Sequence, residues 1–383
     1  MEKEEKIKIL ADLIKIQTVN GNEIEVAKYL KTILADHQIN ATIDSFGDKR
    51  ANLEAEIGDK DPLNKILAFS GHQDTVTIDD EKIWIFDPFS AQIEGDKIYG
   101  RGASDMKSGL AAEAIALIEL NENPHVNLNG TLRFIATAGE EYGTPGAYRL
   151  NDQHAIDDVD ALVIGEPTNG QIIYAHSGSF NYRITSTGQA AHSSTPTRGI
   201  NAIQGLVNYI NLEEGLFDDV PEGPYLGAVQ HSITVIHGGN QVNTIPAQAE
   251  LRGNIRPTQA FDNNHVISKI EEALRKLNQQ HDAQLKLEII HNFEPVETPS
   301  DNKFVQLVQR SAQKSFSERE VKLKTMNGAT DASVFVKNNY GLPTVILGAD
   351  GIETNHQPNE YTTISSYLAL IKAYQEIAIK FLK

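Results

Sequence analysis

Acidic and histidine side chains follow short apolar runs at several points in this sequence, where buried strands are expected to end. The candidate metal ligands are two histidines and three carboxylates, in the chain order His72, Asp105, one of the pair Glu140 and Glu141, Glu166 and His356. In open α/β sheets, functional sites form at the carboxyl ends of the strands. Nitrogen and oxygen donors suit zinc, cobalt or manganese, and the sequence has no cysteine to supply sulfur. The pattern therefore predicts a site for divalent metal ions.

Asp74 lies two residues after His72, so the two side chains point to the same side of an extended chain. His72 would then bind a metal through one ring nitrogen while Asp74 holds the other, which fixes the tautomer and the ring angle. The alternative interpretation is a hydrogen-bonded core histidine beside an aspartate that forms a turn.

Glu140 and Glu141 are adjacent acids that follow the apolar run 132–136. Like charges side by side repel each other, so this pair is poorly placed at the end of a strand without a cation. One of the two is expected to bind metal while its neighbour takes a proton from the attacking water. Two solvated loop acids are the alternative.

The glycine-rich segment 100–105 precedes apolar residues at helical spacing, and it does not match a nucleotide-binding loop. A dinucleotide fingerprint needs glycine at the sixth position, where this chain has Asp105, and a phosphate loop needs Gly-Lys followed by Ser or Thr, which is absent. This argues against a cofactor-binding oxidoreductase. Asp105 would either cap the following helix or lie between two metal ions.

The wider sequence predicts one α/β domain interrupted by an inserted module. Apolar runs at 66–69, 132–136 and 161–164 predict buried strands that alternate with helical patterns, which is typical of a mostly parallel sheet with helices on both faces. After Gly178 the order becomes strand-helix-strand-strand-helix-strand, as in a small α+β module. We predict a catalytic domain of residues 1–177 and 291–383, and an inserted domain of residues 178–290.

Composition excludes some classes of partner. The 383 residues carry a formal net charge of −18, so nucleic acid is not expected to bind, because phosphate binding needs a basic stripe. No apolar run reaches the roughly 18 residues of a membrane span, and the charged start of the chain lacks the pattern of a signal peptide. These features favour a cytoplasmic protein that does not bind membranes.

Several motifs together resemble the dizinc deacylase and peptidase family, which includes desuccinylases, acetylornithine deacetylases, aminoacylases and peptidases. The motifs are Gly71-His72-Gln73-Asp74, Gly100-Arg101-Gly102-Ala103-Ser104-Asp105-Met106-Lys107, Gly139-Glu140-Glu141 and Glu166-Pro167-Thr168. Three further segments resemble the desuccinylase branch of that family: Arg50-Ala51-Asn52, Gly328-Ala329-Thr330-Asp331-Ala332-Ser333 and His356-Gln357-Pro358-Asn359-Glu360-Tyr361. The resemblance runs from near residue 7 to the C-terminus.

The resemblance implies a role for each candidate residue. His72 and Glu166 would bind one divalent ion, and Glu141 and His356 would bind the other. Asp105 would bridge the two ions, with a cis peptide bond after it. The ions would be zinc or cobalt, with manganese also possible. Asp74 would orient His72, and Glu140 would act as the general base.

For the inserted domain, the resemblance implies a lid that also forms a homodimer. His192 would reach the active site of the partner subunit and stabilise the oxyanion. Asn243, Arg256 and Gly328 would bind the substrate, and the fork of Arg256 suits a carboxylate group. The implied substrate is a small N-acyl amino acid.

The desuccinylase branch implies N-succinyl-L,L-diaminopimelate as that substrate. Better-known desuccinylases carry an arginine just before the Gly-Ser that here is Gly178-Ser179, whereas this chain has His176-Ser177. This departure leaves acetylornithine deacetylation, or dipeptidase or carboxypeptidase activity, open. A non-catalytic relative without metals would lack a ligand or the base, and this chain has all of them.

Overall fold

The computed structural model describes residues 1–61 and 63–383. These residues divide into two compact units. The first unit contains Met1–Tyr174, Glu297–Lys324 and Thr330–Lys383, and the second contains Ala175–Val296 and Thr325–Ala329. None of the helices in the described part of the chain is long and apolar enough to cross a membrane.

Helices and strands alternate along most of the chain. The helices are α1 (Lys3–Lys15), α2 (Glu23–Asp36), α3 (Lys107–Glu122), α4 (Pro145–Asp152), α5 (Ala202–Glu213), α6 (Asn263–Gln280), α7 (Lys303–Ser315), α8 (Ala332–Phe335) and α9 (Ile364–Phe381). The strands are β1 (Ala41–Phe46), β2 (Arg50–Gly58), β3 (Lys65–His72), β4 (Gln92–Glu94), β5 (Lys97–Tyr99), β6 (Gly130–Thr137), β7 (Ala161–Ile164), β8 (Ile172–His176), β9 (Ser179–Thr187), β10 (Ala191–His192), β11 (Gln230–Gly238), β12 (Thr244–Ile245), β13 (Gln248–Arg256), β14 (Gln284–Phe293), β15 (Val296–Glu297), β16 (Leu323–Met326), β17 (Thr344–Ile346) and β18 (Tyr361–Thr363).

The main sheet of the first unit is parallel at its centre and antiparallel at its edges. Its strands follow the order β1-β2-β6-β3-β7-β17-β8-β15, and β16 also pairs with β8. The pairs β6–β3, β3–β7 and β7–β17 are parallel, whereas β1–β2, β2–β6 and β17–β8 are antiparallel. Parallel strands end at the same edge, so the residues after β3, β6 and β7 come together there.

Both faces of this sheet are buried. Alternate residues of the central strands, such as Leu67, Phe69 and Phe134, pack in one core with side chains from α1, α2, α3, α7 and α9. The intervening Ala68 and Ile135 are also fully buried on the opposite face. Strands covered on both faces read as continuous apolar runs, which is why the sequence predicted them. The predicted α/β class, with a mostly parallel sheet and helices, is confirmed.

The second unit has a four-stranded antiparallel sheet in the order β11-β13-β9-β14. Every second residue of β9, including Phe180, Tyr182 and Ile184, packs in a core with residues of α5 and α6. The intervening positions are more polar, so one face of the sheet packs against the helices and the other faces solvent. Asp262 caps α6 by accepting a hydrogen bond from the backbone N–H of His265 at 3.0 Å.

The observed units differ in detail from the predicted boundaries. Residues 175–177, 291–296 and 325–329, which we assigned to the catalytic domain, cluster with the second unit. The last of these segments is held there by hydrogen bonds such as the one from the N–H of Ser177 to the carbonyl of Met326, at 3.2 Å. Sequence periodicity contains no signal for a contact between segments about 150 residues apart.

Helix α3 approaches the end of β7 so closely that only glycine fits between them. A Cβ atom added to Gly109 would overlap the carbonyl group of Gly165, the residue before Glu166. We therefore predict that Gly109→Ala pushes α3 away from this strand end and lowers the free energy of unfolding by about 1–3 kcal/mol. Urea denaturation followed by circular dichroism measures the change.

Gly215→Ala is the matched control, because the nearest atom to a Cβ there is an Asp218 carboxylate oxygen at an ordinary 3.5 Å. We expect the control to stay within about 0.5 kcal/mol of the natural chain. Equal effects of the two substitutions would contradict the proposed close approach at Gly109.

Candidate metal centre

The candidate ligands of the first unit lie after strands that end at one edge of the main sheet. His72 is the last residue of β3, and Glu166 follows β7 by two residues. Glu140 and Glu141 begin a short 3₁₀ turn after β6. The pairing of Ser70 with Ile164 and of His72 with Thr137 fixes the relative positions of these strand ends.

His72, Asp105 and Glu166 form the first group of candidate ligands. The Nε2 atom of His72 lies 3.1 Å from Oδ1 of Asp105 and 3.5 Å from Oε1 of Glu166. One donor atom from each residue lies within 4.8 Å of the others. The other ring nitrogen of His72 faces the backbone carbonyl of Asp74 at 3.0 Å, so Nε2 is the atom that faces the site.

Asp105, Glu141 and His356 form the second group. The Nε2 atom of His356 lies 3.0 Å from Oε1 of Glu141 and 3.3 Å from Oδ2 of Asp105. Asp105 thus directs one carboxylate oxygen toward each histidine. The Asp105–Met106 peptide bond is cis. A third group combines His72 with Glu140 and Glu141, so Glu140 also lies beside the predicted ligands.

These spacings fit divalent metal ions. Two donor atoms at about 2.0–2.1 Å from a tetrahedral zinc ion are separated by about 3.3 Å. The four nitrogen–oxygen distances in the two groups lie between 3.0 and 3.5 Å. The donors are imidazole nitrogen and carboxylate oxygen, which suit zinc, cobalt or manganese. Both the spacing and the chemistry of the donors therefore fit a pair of ions that share Asp105.

The pKa shifts at the site indicate an excess of negative charge that a cation would stabilise. Burial alone would lower the pKa of His72, but the charge of Glu166 and the hydrogen bond to Asp105 outweigh it and raise that pKa well above its usual range. Hydrogen bonds to Asp105 and Glu141 raise the pKa of His356 to about 10. Burial raises the pKa of Glu140 and Glu166 well above their usual range. Without metal the site holds protons, so metal ions would displace them.

Asp74 makes a different set of contacts from the one that the sequence suggested. Its carboxylate accepts hydrogen bonds from the backbone N–H groups of Gly139, Glu140 and Glu141, at 2.8, 3.0 and 3.1 Å. Its nearest oxygen is 3.6 Å from Nδ1 of His72, which is too long for a good hydrogen bond. In this geometry Asp74 fixes the turn that carries Glu140 and Glu141, while its own backbone carbonyl orients His72.

The structure also shows supporting residues to which sequence reasoning gave no role. The side chain of Asn52 accepts from the N–H of Ala138 and donates to the carbonyl of Gly146, so it holds both ends of the loop that contains Glu140. Glu360 accepts the N–H of Asp105 at 3.0 Å. Both residues lie in motifs noted in the sequence, but their partners are distant along the chain, so spacing alone could not reveal the contacts.

The remaining predicted residues belong to the second unit. His192 is exposed, and its Nδ1 atom lies 2.7 Å from the hydroxyl of Ser194. Asn243 and Gly328 are also exposed. Arg256, at the end of β13, is partly buried, and burial lowers its pKa. It forms no ion pair with any residue in 1–61 or 63–383.

The fold and the site define a metal-dependent amidohydrolase of a known family. The model of Peptidase family M20/M25/M40 matches residues 68–380, so the chain belongs to this family. The match covers all the candidate ligands, and the resemblance found in the sequence is confirmed.

The chain is similar along its whole length to proteins with deacylase names. It is 35% identical to a probable succinyl-diaminopimelate desuccinylase from Staphylococcus aureus, over 99% of this chain and 98% of that protein. It is also 30% identical to an acetylornithine deacetylase from Photorhabdus laumondii, over 94% of this chain and 92% of that protein.

Solved structures share the fold at lower identity. An M20 family metallo-carboxypeptidase from Sulfolobus solfataricus matches with a TM-score of 0.80 at 21% identity, over 100% of this chain and 99% of that chain. A dinuclear metal binding peptidase of the same family from Bacillus subtilis matches with a TM-score of 0.75 at 19% identity, over 99% of this chain and 98% of that chain.

Removing metal should destabilise the first unit, because the carboxylates of the site then face each other without a cation. We predict that EDTA lowers the thermal unfolding midpoint measured by calorimetry at pH 7.5, and that added zinc or cobalt restores it. At a free metal concentration about 100 times the Kd, binding adds about 2.7 kcal/mol per site. A midpoint that does not respond to chelator or metal would contradict a metal centre.

Asp74→Asn should displace Glu140 and Glu141, because an amide offers one acceptor oxygen where the carboxylate offers two to the three N–H groups. We expect metal affinity to fall about 10–100-fold, as for other residues that hold metal ligands. Competition with a chromogenic chelator measures the affinity. Asp79→Asn, in an exposed loop, is the control and should bind metal normally. Unchanged affinity in Asp74→Asn would mean that the turn holds its shape without the carboxylate.

Proposed function

We propose that this chain hydrolyses the amide bond of N-succinyl-L,L-diaminopimelate, giving succinate and L,L-diaminopimelate. The observation that supports amide hydrolysis most directly is the pair of ligand groups that share Asp105, with Glu140 beside them. The desuccinylase name of the Staphylococcus aureus relative supports the choice of acyl group.

In the proposed site, His72 and Glu166 hold one ion, Glu141 and His356 hold the other, and Asp105 bridges them. We propose zinc or cobalt as the ions, with manganese as a further possibility. When bound, the ions supply Lewis acidity that polarises the amide carbonyl and acidifies the attacking water.

Glu140 is the proposed general base. It takes a proton from the water whose oxygen attacks the carbonyl carbon, and it delivers that proton to the amide nitrogen as the carbon–nitrogen bond breaks. Burial raises the pKa of Glu140 well above its usual range, which brings it closer to the pH at which it must both accept and release a proton. No covalent intermediate is needed.

Residues of the second unit are proposed to bind the substrate. Arg256 is partly buried and has no carboxylate partner among the described residues, so an anionic ligand would satisfy it. We propose that Arg256, Asn243 and Gly328 bind the carboxylate end of the substrate. The exposed ring of His192 is proposed to stabilise the oxyanion.

We further propose that the protein works in the cytoplasm, in lysine and diaminopimelate biosynthesis, as a homodimer formed through the second unit. The open edges of the sheet in that unit, β11 and β14, support a role in association. Exposed apolar side chains on the two edge strands, Ile236 and Ile290, support it as well.

One observation favours a second candidate, acetylornithine deacetylation. His176, near the position where better-known desuccinylases carry arginine, is buried, and burial lowers its pKa to about 4. It is therefore neutral at pH 7 and offers no positive charge to the free carboxylate of a succinyl group. A substrate with an acetyl group needs no such cation.

The deciding experiment compares hydrolysis of N-succinyl-L,L-diaminopimelate, N-acetyl-L-ornithine and a simple dipeptide, each with added zinc or cobalt. We expect the highest kcat/KM for the succinyl substrate. Glu140→Gln should lower kcat at least about 10²-fold, because it removes the base while keeping the size of the side chain. Glu353→Gln, an exposed acid, is the control and should remain active.

Preference for the acetyl substrate would replace the succinyl assignment with the second candidate. Cleavage of the dipeptide alone would leave the metal chemistry intact and overturn both biosynthetic assignments. Full activity in Glu140→Gln would overturn the role of the general base.

A further inference from the structure

Asp105 and His356 lie on two loops that are far apart in the sequence. We call residues 100–106 the Asp105 loop and residues 355–360 the His356 loop. In β-strands that flank them, Tyr99 pairs with Tyr361 in antiparallel register. The N–H of Gly100 also donates to the carbonyl of Glu360 at 2.9 Å. The two loops therefore run side by side from a common point.

Glu360 uses both carboxylate oxygens to join these loops. Its Oε1 accepts the backbone N–H groups of Ser104 and Asp105, at 2.9 and 3.0 Å. Its Oε2 accepts from Nη1 of Arg101 at 2.6 Å. The side chain of Glu360 is completely buried, and that of Arg101 is nearly so. A buried ion pair contributes little net stability, and Nε of Arg101 has no hydrogen-bond partner among the described residues. The contacts of Glu360 with both loops therefore matter for their geometry rather than for the stability of the fold.

Three further contacts hold the same arrangement. Arg101 donates a second hydrogen bond to the carbonyl of Thr77 and lies against the ring of Trp84, with its guanidinium carbon 5.1 Å from the ring centre. The hydroxyl of Ser104 lies 3.0 Å from the side-chain oxygen of Asn355, next to His356. The ring of His356 itself is half exposed.

The His356 loop needs such support because its backbone is in an unfavourable conformation. His356 has a φ of 61° and Asn359 has a φ of 63°, both in the left-handed region. A non-glycine residue there costs about 1 kcal/mol or more, and it persists only where the surroundings fix it. Without a fixed loop, the ring of His356 would lose its distance to Asp105.

We propose that Glu360 forms a buried clasp that positions Asp105 and His356 for the ion they share, while Arg101 neutralises its buried charge. Glu360 is a positioning residue, because it acts on the ion only through the backbone of Asp105 and through the loop that carries His356. The inference rests on the proposed two-ion site. It adds a buried residue outside the set of ligands that affects the affinity of one ion more than that of the other.

The two ions should differ in how much they depend on the clasp. His72 and Glu166 follow strands β3 and β7, which pair directly in the centre of the sheet. Of the ligands of the first ion, only Asp105 is held by Glu360. For the second ion, both Asp105 and His356 depend on the clasp. Loss of the clasp should therefore weaken the second ion more than the first.

The test measures zinc binding to metal-free protein by isothermal titration calorimetry, without substrate. His72→Ala and His356→Ala first identify which binding step belongs to which group of ligands. Two double variants are then compared, and both remove the buried charges. One combines Arg101→Met with Glu360→Gln, which keeps an acceptor oxygen for the N–H groups of Ser104 and Asp105. The other combines Arg101→Met with Glu360→Leu, which has no acceptor.

In the leucine variant, we expect zinc affinity to fall about 10–100-fold in the binding step that is absent from His356→Ala. The affinity of the binding step that is absent from His72→Ala should fall less. In the glutamine variant, both affinities should stay close to those of the natural chain. Cobalt absorption of the second ion should change in the leucine variant only. Equal affinities in the two double variants, or equal weakening of both steps, would overturn the clasp.

Ser104→Ala is a milder substitution that leaves the buried charges of Arg101 and Glu360 unchanged. It removes the hydrogen bond to Asn355, and we expect a smaller loss of zinc affinity in the binding step that is absent from His356→Ala. If the leucine variant does not fold, this variant decides, and normal binding in it would overturn the proposal. Binding steps that respond as expected in a protein that cleaves no substrate would overturn only the proposed function.

Discussion

Repulsion between carboxylates at the end of the main sheet is the constraint on which this structure depends. Asp105, Glu140, Glu141 and Glu166 converge on two histidines. Burial, and after it the charges of the neighbouring acids, raise the pKa values of Glu140, Glu141 and Glu166. A divalent cation removes this repulsion far better than protons can, because one ion attracts several carboxylates at once. The surrounding fold must hold the acids in place while the ions are absent.

The parallel strands and the glycines provide that rigidity. β3, β6 and β7 end together, and Gly109 lets the backbone of α3 lie directly against Gly165. Gly71 and Gly165 leave room for the side chains of Met106 and Glu113. Glu113 of α3 lies in this narrow space, where neither carboxyl oxygen has a hydrogen-bond partner in the described part of the chain. Burial and the charge of Glu166 raise the pKa of Glu113 well above its usual range, so it adds no further negative charge behind the site.

The sequence predicted the fold class and the set of candidate ligands because both leave local signals. Buried parallel strands give continuous apolar runs, and His72, Glu141 and Glu166 follow such runs directly. The contacts of Asp74 and Glu360 could not be predicted in the same way. Asp74 accepts backbone N–H groups from a segment about 65 residues away, and Glu360 accepts them from one about 255 residues away. Every residue except proline has a backbone N–H group, so the sequence does not show which of them a carboxylate will contact. The clustering of residues 325–329 with the second unit could not be predicted from the sequence for the same reason.

The division of the chain into two units explains why the class of reaction is easier to establish than the substrate. All the candidate metal ligands and the proposed base belong to the first unit, where they must satisfy strict distances. The proposed substrate residues Asn243 and Arg256 belong to the second, where one substitution changes the charge offered to a ligand without disturbing a metal ion. His176 illustrates the point, since a buried neutral ring near the position of an arginine removes a cation while the metal centre keeps its full set of donors. The class of reaction therefore follows from the ligands of the first unit, whereas the specificity that we propose depends on a few side chains of the second.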